Sequence, residues 1–144
     1  MKIKTIITTL LFSGLIFSAI ANENFFKEAK DLFEKEKLNE SKFLFQRNIV
    51  FNPKDADSYL YLAKIYKIEE DLSEEEKNLN TTLLLDPKNE EALILLIDME
   101  LNRSNFSKVK ELRNKFNKVC LNLCEKISSI NTRLKEFEKK DASW

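Results

Sequence analysis

The 144-residue sequence contains no histidine, one glycine and two prolines, and each shortage excludes something. Without histidine, the commonest general base at neutral pH and the commonest catalytic metal ligand are missing. The one glycine, Gly14, lies near the N-terminus. The rest of the chain therefore lacks the residue on which tight hairpins, dinucleotide-binding turns and phosphate-cradling loops rely. β-Hairpin proteins, Rossmann folds and P-loop enzymes drop out. There is no Gly-x-Ser-x-Gly, no histidine pair and no calcium loop with its central glycine, so nucleophilic, metal-assisted and calcium-binding chemistries have no frame. The expectation is a protein with no catalytic residue, no cofactor and no metal site.

What is present begins with Met1–Ala21. Lys2 and Lys4 precede an apolar stretch from Ile6 to Ile20, which closes on Ala19-Ile20-Ala21. This is the layout of a secretory signal peptide, with small residues at the positions a signal peptidase reads. As a membrane anchor the stretch is short against the roughly 20 residues a span needs, and Thr8, Thr9, Ser13 and Ser18 dilute it. Cleavage after Ala21 is the expectation, leaving Asn22–Trp144 exported and without a membrane span. No cysteine lies near the cut, so a lipoprotein acylation site is absent. Removing Lys2 and Lys4 leaves 22 basic against 24 acidic residues, a net charge near −2, which gives no general attraction to nucleic acid. Charged residues of both signs are interspersed, as in a soluble helical protein rather than a disordered tail.

Pro53 and Pro87 stand 34 residues apart, in Asn52-Pro53-Lys54-Asp55 and Asp86-Pro87-Lys88-Asn89. Proline suits the turn between helices and not a helix interior, so the spacing predicts a repeated helical hairpin and hence a solenoid. Tyr59, Leu62 and Tyr66, then Leu79 and Leu83, recur at three- and four-residue intervals and mark one face of successive helices. Ser73-Glu74-Glu75-Glu76 reads as a capping box that starts a helix at Ser73. Ile127, Ile130, Leu134 and Phe137 predict one more amphipathic helix, which would cover the open end of the stack.

With these features the sequence resembles the tetratricopeptide repeat family, whose unit is 34 residues of helix, turn, helix with a proline near its end. Setting each proline in the family's slot places repeats at 22–55, 56–89 and 90–119, followed by a cysteine-bearing capping helix and tail at 120–144. Tyr59, Leu62, Ala63, Tyr66, Leu72, Leu79, Leu83, Leu85 and Pro87 fill the family's slots in the second repeat. Phe25, Ala29, Leu32, Ser41, Phe45, Ile49 and Pro53 fill them in the first, where Glu28 replaces the usual leucine. The third offers Leu93, Leu96, Phe106 and Val109, with Ile97 for the small residue and Glu100 for the aromatic, and it lacks the proline.

The resemblance implies an all-α solenoid of about three repeats that binds a protein or peptide partner on the face lined by the first helix of each repeat. The slots concerned carry Phe26, Lys30, Phe33, Leu60, Tyr61, Lys64, Lys67, Ile68, Ile94, Leu95, Asp98 and Leu101, an apolar groove with a lysine stripe. The family's clamp for a C-terminal carboxylate is missing, since its slots hold Phe26, Lys30, Tyr61, Glu91 and Leu95. The resemblance further implies a periplasmic scaffold or adaptor of the bacterial envelope. In the alternative, the groove is filled by the end helix or by a second copy of the chain.

Cys120 and Cys124 are the only cysteines. In an exported chain such a pair reads as a disulfide. In one continuous helix their Cα atoms would be roughly 6 Å apart, at the long end of bridge geometry, so a break in the helix near 120–124 is expected. A redox-cycling dithiol is the competing reading, though the three-residue spacing is not that of a thioredoxin motif. The acidic run Glu69–Glu76 is read as side chains favoured by a helix N-terminus. The basic Lys108, Lys110, Arg113, Lys115 and Lys118 are read as a solvated helix face.

Overall fold

A computed structural model describes residues 25–141, and the Met1–Ala21 segment read as a signal peptide lies outside them. Among the described residues there are helices and turns and no strands. The helices are α1 (25–34), α2 (Leu38–Phe51), α3 (Ala56–Ile68), α4 (Leu72–Leu85), α5 (Glu90–Asn102), α6 (Phe106–Val119) and α7 (Lys126–Asp141). The starts of α2, α4 and α6 recur every 34 residues, as do their ends, and α5 repeats both boundaries of α3 at the same interval. The chain is an all-α solenoid of three hairpins and an end helix.

The turn inside each hairpin closes identically. The N–H groups of Lys37, Asp71 and Asn105 donate to the carbonyls of Leu32, Tyr66 and Glu100, each at 2.9 Å, the long bond that ends a helix on a left-handed residue. Those residues are Glu36, Glu70 and Ser104, with φ of 58°, 60° and 57°. A glycine would be relaxed there, while any other residue gives up about 1 kcal/mol. Scarcity of glycine thus excludes the glycine-dependent folds without removing positive φ from the chain.

The following helices are capped from the next residue on. Asp71 accepts from the N–H of Glu74 at 3.1 Å, and its counterpart Asn105 accepts from Lys108 at 3.4 Å. The capping box expected at Ser73 is therefore displaced by two residues. Asp71 is already fixed by the turn at Glu70, and α4 begins at Leu72 before Ser73 can act as a cap. Asn89 caps α5 through the N–H of Ala92 at 2.9 Å. Ahead of α3, Asp55 instead accepts from Asn48 at 2.7 Å and Ser58 at 2.6 Å, which ties the Pro53 turn to α2 and α3.

Where the two helices of a hairpin cross, Ala29, Ala63 and Ile97 occupy the same slot and are wholly buried. α3 serves two apolar clusters. Leu62 and Ile65 join Ala29 and Phe45, whereas Leu60 and Ala63 join the larger cluster built by α4 to α7. Neighbouring repeats are also tied by ion pairs at equivalent positions with the signs exchanged. Lys42 meets Glu69 at 2.7 Å, and Glu76 meets Arg103 at 2.7 Å, each of the second pair lying 34 residues beyond its counterpart.

After Val119 the helix stops, and 120–125 form the expected break before α7. Cys120 and Cys124 are paired across it with Cα atoms 5.4 Å apart. The carboxylate of Glu90 holds this loop to the first turn of α5. It accepts from the N–H groups of Leu121 at 2.8 Å, Asn122 at 3.1 Å and Leu123 at 2.6 Å. Solvent loss raises the pKa of Glu90, but these donors outweigh it and hold the carboxyl below its ordinary value. α7 then packs on α5 and α6, burying Ile130 and Leu134.

Candidate interaction surface

The first helices of the repeats lie side by side. Phe26 and Phe33 of α1 meet the ring of Tyr61 on α3 edge-on, with centroids 5.9 and 5.3 Å apart. Lys64 of α3 reaches Glu91 of α5 at 2.7 Å. Asp98 of α5, the counterpart of Lys64 one repeat on, pairs with Arg133 of α7. Helices α1, α3, α5 and α7 therefore form one continuous wall.

The residues expected on that wall divide into three groups. Phe26, Phe33 and Tyr61 are half-buried, with Tyr61 stacked on Phe45 at 5.0 Å. They anchor the first two repeats to each other while keeping an edge in solvent. Lys30 is exposed, and Ile68, at the end of α3, is 56% exposed. Lys64 lies over the Tyr61 ring at 4.5 Å and is committed to Glu91. Ile94 and Leu95 are half-buried against the main cluster.

Leu60 and Leu101 are not groove residues. They are 5% and 0% exposed and belong to the main cluster. α3 turns Leu60 toward the second core, and the packing of α6 and α7 around α5 encloses Leu101. The expected lysine stripe is likewise interrupted, because Lys64 is neutralised by Glu91.

A cavity of about 460 Å³ opens between the last turns of α3 and α5, above the first turn of α4. Lys67, Leu72, Glu75, Asp98, Met99 and Arg103 line it. Glu75 is 4% exposed, and among the described residues its carboxylate has no hydrogen bond or ion pair. Burial raises its pKa above the ordinary value, Lys67 and Arg103 pull it back, and Asp98 pushes it up. The dipole account of the acidic run fits Glu74, which pairs with Lys77 at 2.9 Å, and does not cover Glu75. Its counterparts Ser41 and Val109 are wholly buried, the serine donating to the Ala29 carbonyl at 2.8 Å. Aligning the repeats shows the anomaly: an acid stands where its equivalents are small or apolar.

Among the described residues no group of three or more carboxylates and thiols could hold a metal ion, and no helix is long and apolar enough to cross a membrane.

The architecture is that of known structures. The Yersinia enterocolitica type III secretion chaperone SycD, in complex with a peptide of the translocator YopD, matches with a TM-score of 0.70 at 13% identity, over 83% of this chain and 93% of that one. The TPR2B domain of yeast Sti1, in its pHsp70 complex, matches at 0.70 and 15%, over 84% and 98%. The fold is the tetratricopeptide repeat. The first such domain of Spaghetti (RPAP3), bound to the HSP90 peptide SRMEEVD, matches the repeat stack at 0.69 and 12%, over 84% and 93%. No family model and no curated protein matches the sequence.

Proposed function

We propose that this chain is an exported, non-catalytic protein-interaction module, a periplasmic scaffold or adaptor that holds a partner segment against the wall of α1, α3 and α5. The observation that carries the reading is the row of half-buried aromatics Phe26, Phe33 and Tyr61, continued by exposed Ile68 and flanked by Lys30, which is exposed and has no ion pair among the described residues. An apolar strip with a polar rim is the surface that protein partners use. The three similar structures, each in complex with a peptide or protein named above, support the same mode of use. Export rests on the Met1–Ala21 layout, and the cysteine pair fits an oxidising compartment. Because Glu90 anchors the loop that the pair closes, the pair serves as a structural staple rather than as a cycling dithiol. Alkylation with and without reductant tests this, the staple staying blocked until strong reductant is added.

The wall is tested by Lys30→Glu and Ile68→Glu, both at exposed positions. Each should reduce capture of the partner at least tenfold while the melting temperature stays within a few degrees. Unchanged capture in both would contradict the assignment. A second reading has its own observation. Phe43 and Phe51 of α2, in the first hairpin, are 60% and 59% exposed, so two copies could meet there. Light scattering decides it, a concentration-independent monomer excluding self-association.

A further inference from the structure

We propose that the cavity over the first turn of α4 is a subsite for one cationic side chain, a guanidinium or an alkylammonium, of the bound partner. The inference rests on the reading of the chain as an interaction module and names the chemistry that module selects.

Arg103 is held by Glu76 at 2.7 Å and by Glu100 at 3.6 Å, so it makes its ion pairs with those carboxylates and acts on Glu75 only at a distance. Asp98 is paired with Arg133. The wall thus retains Lys67 and Glu70 at the α3 end and the buried, unpaired Glu75 at the base. A buried carboxylate without donors is costly and gains strongly from any that arrive. Glu100 shows the ordinary remedy within this chain: equally enclosed at 5% exposure, it accepts from the Asn105 amide at 2.8 Å. Glu75 lacks the equivalent, and the space in front of it is open. Leu72 and Met99 supply apolar walls for a methylene stem, the division of labour by which arginine and lysine bury their stems and present their heads. A planar guanidinium would satisfy both carboxylate oxygens at once.

The cavity also belongs to the wall. Lys67 and Asp98 stand in the slots through which first helices face a partner, and Ile68 adjoins Lys67. A segment lying along α1 and α3 would bring one side chain to the opening as it passes Ile68.

Charge linkage gives the pH dependence. Facing Glu75 are Lys67 from α3, Glu70 from the turn, Asp98 from α5 and Arg103 just beyond its end. Burial raises the carboxyl pKa in the free protein, and a bound cation lowers it, so binding releases protons and strengthens as pH rises through the acid range of Glu75.

The test titrates the full chain with n-propylguanidinium, the head group of arginine, and with neutral n-propylurea of the same shape. NMR follows the Met99 methyl and the Glu75 carboxyl. Saturable millimolar binding of the guanidinium, at least tenfold weaker binding of the urea, and a Glu75 titration displaced to lower pH are expected. Glu75→Gln should abolish the preference while melting no lower than the parent, and Glu75→Val, which copies Val109, provides a folded control without the acid. Equal binding of the urea, an unaltered preference in Glu75→Gln, or no saturable binding overturns the proposal. Failure of the wall reading looks different: Lys30→Glu and Ile68→Glu would then leave partner capture intact while guanidinium binding persists.

Discussion

At the scale of the residue, the repeats expose positions that a single helix would hide. Glu36, Glu70 and Ser104 share one left-handed conformation, and Glu70→Gly should relieve it. After subtracting the extra freedom glycine gives the unfolded chain, the expected gain is about 0.5 kcal/mol. In contrast, Lys67→Gly, three residues earlier in α3, should cost about 1 kcal/mol. Thermal melting of the two variants checks both signs, and a destabilised Glu70→Gly would contradict the strain. Leu60 carries a second prediction. Read from its slot alone it belongs to the groove, yet it is 5% exposed in the main cluster. Leu60→Glu should therefore unfold the second repeat, at about 3 kcal/mol or more, with a loss of helical signal rather than of binding alone. A normally folded Leu60→Glu variant would return Leu60 to the wall. The slot was legible and the burial was not, because slot numbering fixes the face of a helix while burial depends on how far the neighbouring helices close over it.

At the scale of the element, helices were legible wherever local chemistry sets them. The prolines mark the turns before α3 and α5, and the apolar spacing of Tyr59, Leu62 and Tyr66 follows α3. The break at 120–124 followed from the geometry a short bridge needs. Two acceptors, Asp71 and Ser73, compete in one stretch for the start of α4, and the left-handed turn at Glu70 decides between them. The Glu90 anchor had no local signal, since 31 residues separate it from Leu121. That anchor makes a pH prediction. With its pKa held below the ordinary 4.5 by three backbone donors, Glu90 adds stability that is present above its ordinary value and lost as pH falls through the depressed one. Glu90→Gln should melt earlier than the parent at pH 6, the two curves converging in strong acid. Hydrogen exchange in 121–123 should rise in the variant at pH 6. Identical melting at both pH values would contradict the anchor.

At the scale of the whole molecule, the 34-residue period organises both the interior and the surface. Three hairpins share one wholly buried slot, held by Ala29, Ala63 and Ile97, and α3 joins the two cores. Sign-exchanged pairs, Lys42 with Glu69 and Glu76 with Arg103, link successive repeats. Their contribution to stability is small at the surface, but each lysine or arginine would meet a like charge if the repeats were transposed. The period was visible from two prolines and the pairs were not, because charge pairs obey no local pattern. One end of the stack is closed by α7, and among the described residues the first hairpin leaves Phe43 and Phe51 of α2 exposed.

The central claim is that partners meet this wall, and site-specific photocrosslinking in living cells tests it most directly. A photoreactive residue would replace Lys30 or Ile68 on the wall, Phe43 on α2, or Leu84 on α4, which is 80% exposed. The account predicts a discrete crosslinked product of the same mass from Lys30 and Ile68 and none from Leu84 or Phe43. Crosslinks confined to Phe43 and twice the mass of the chain would assign the contact to self-association. Equal yields from Leu84 would contradict the wall as the binding surface.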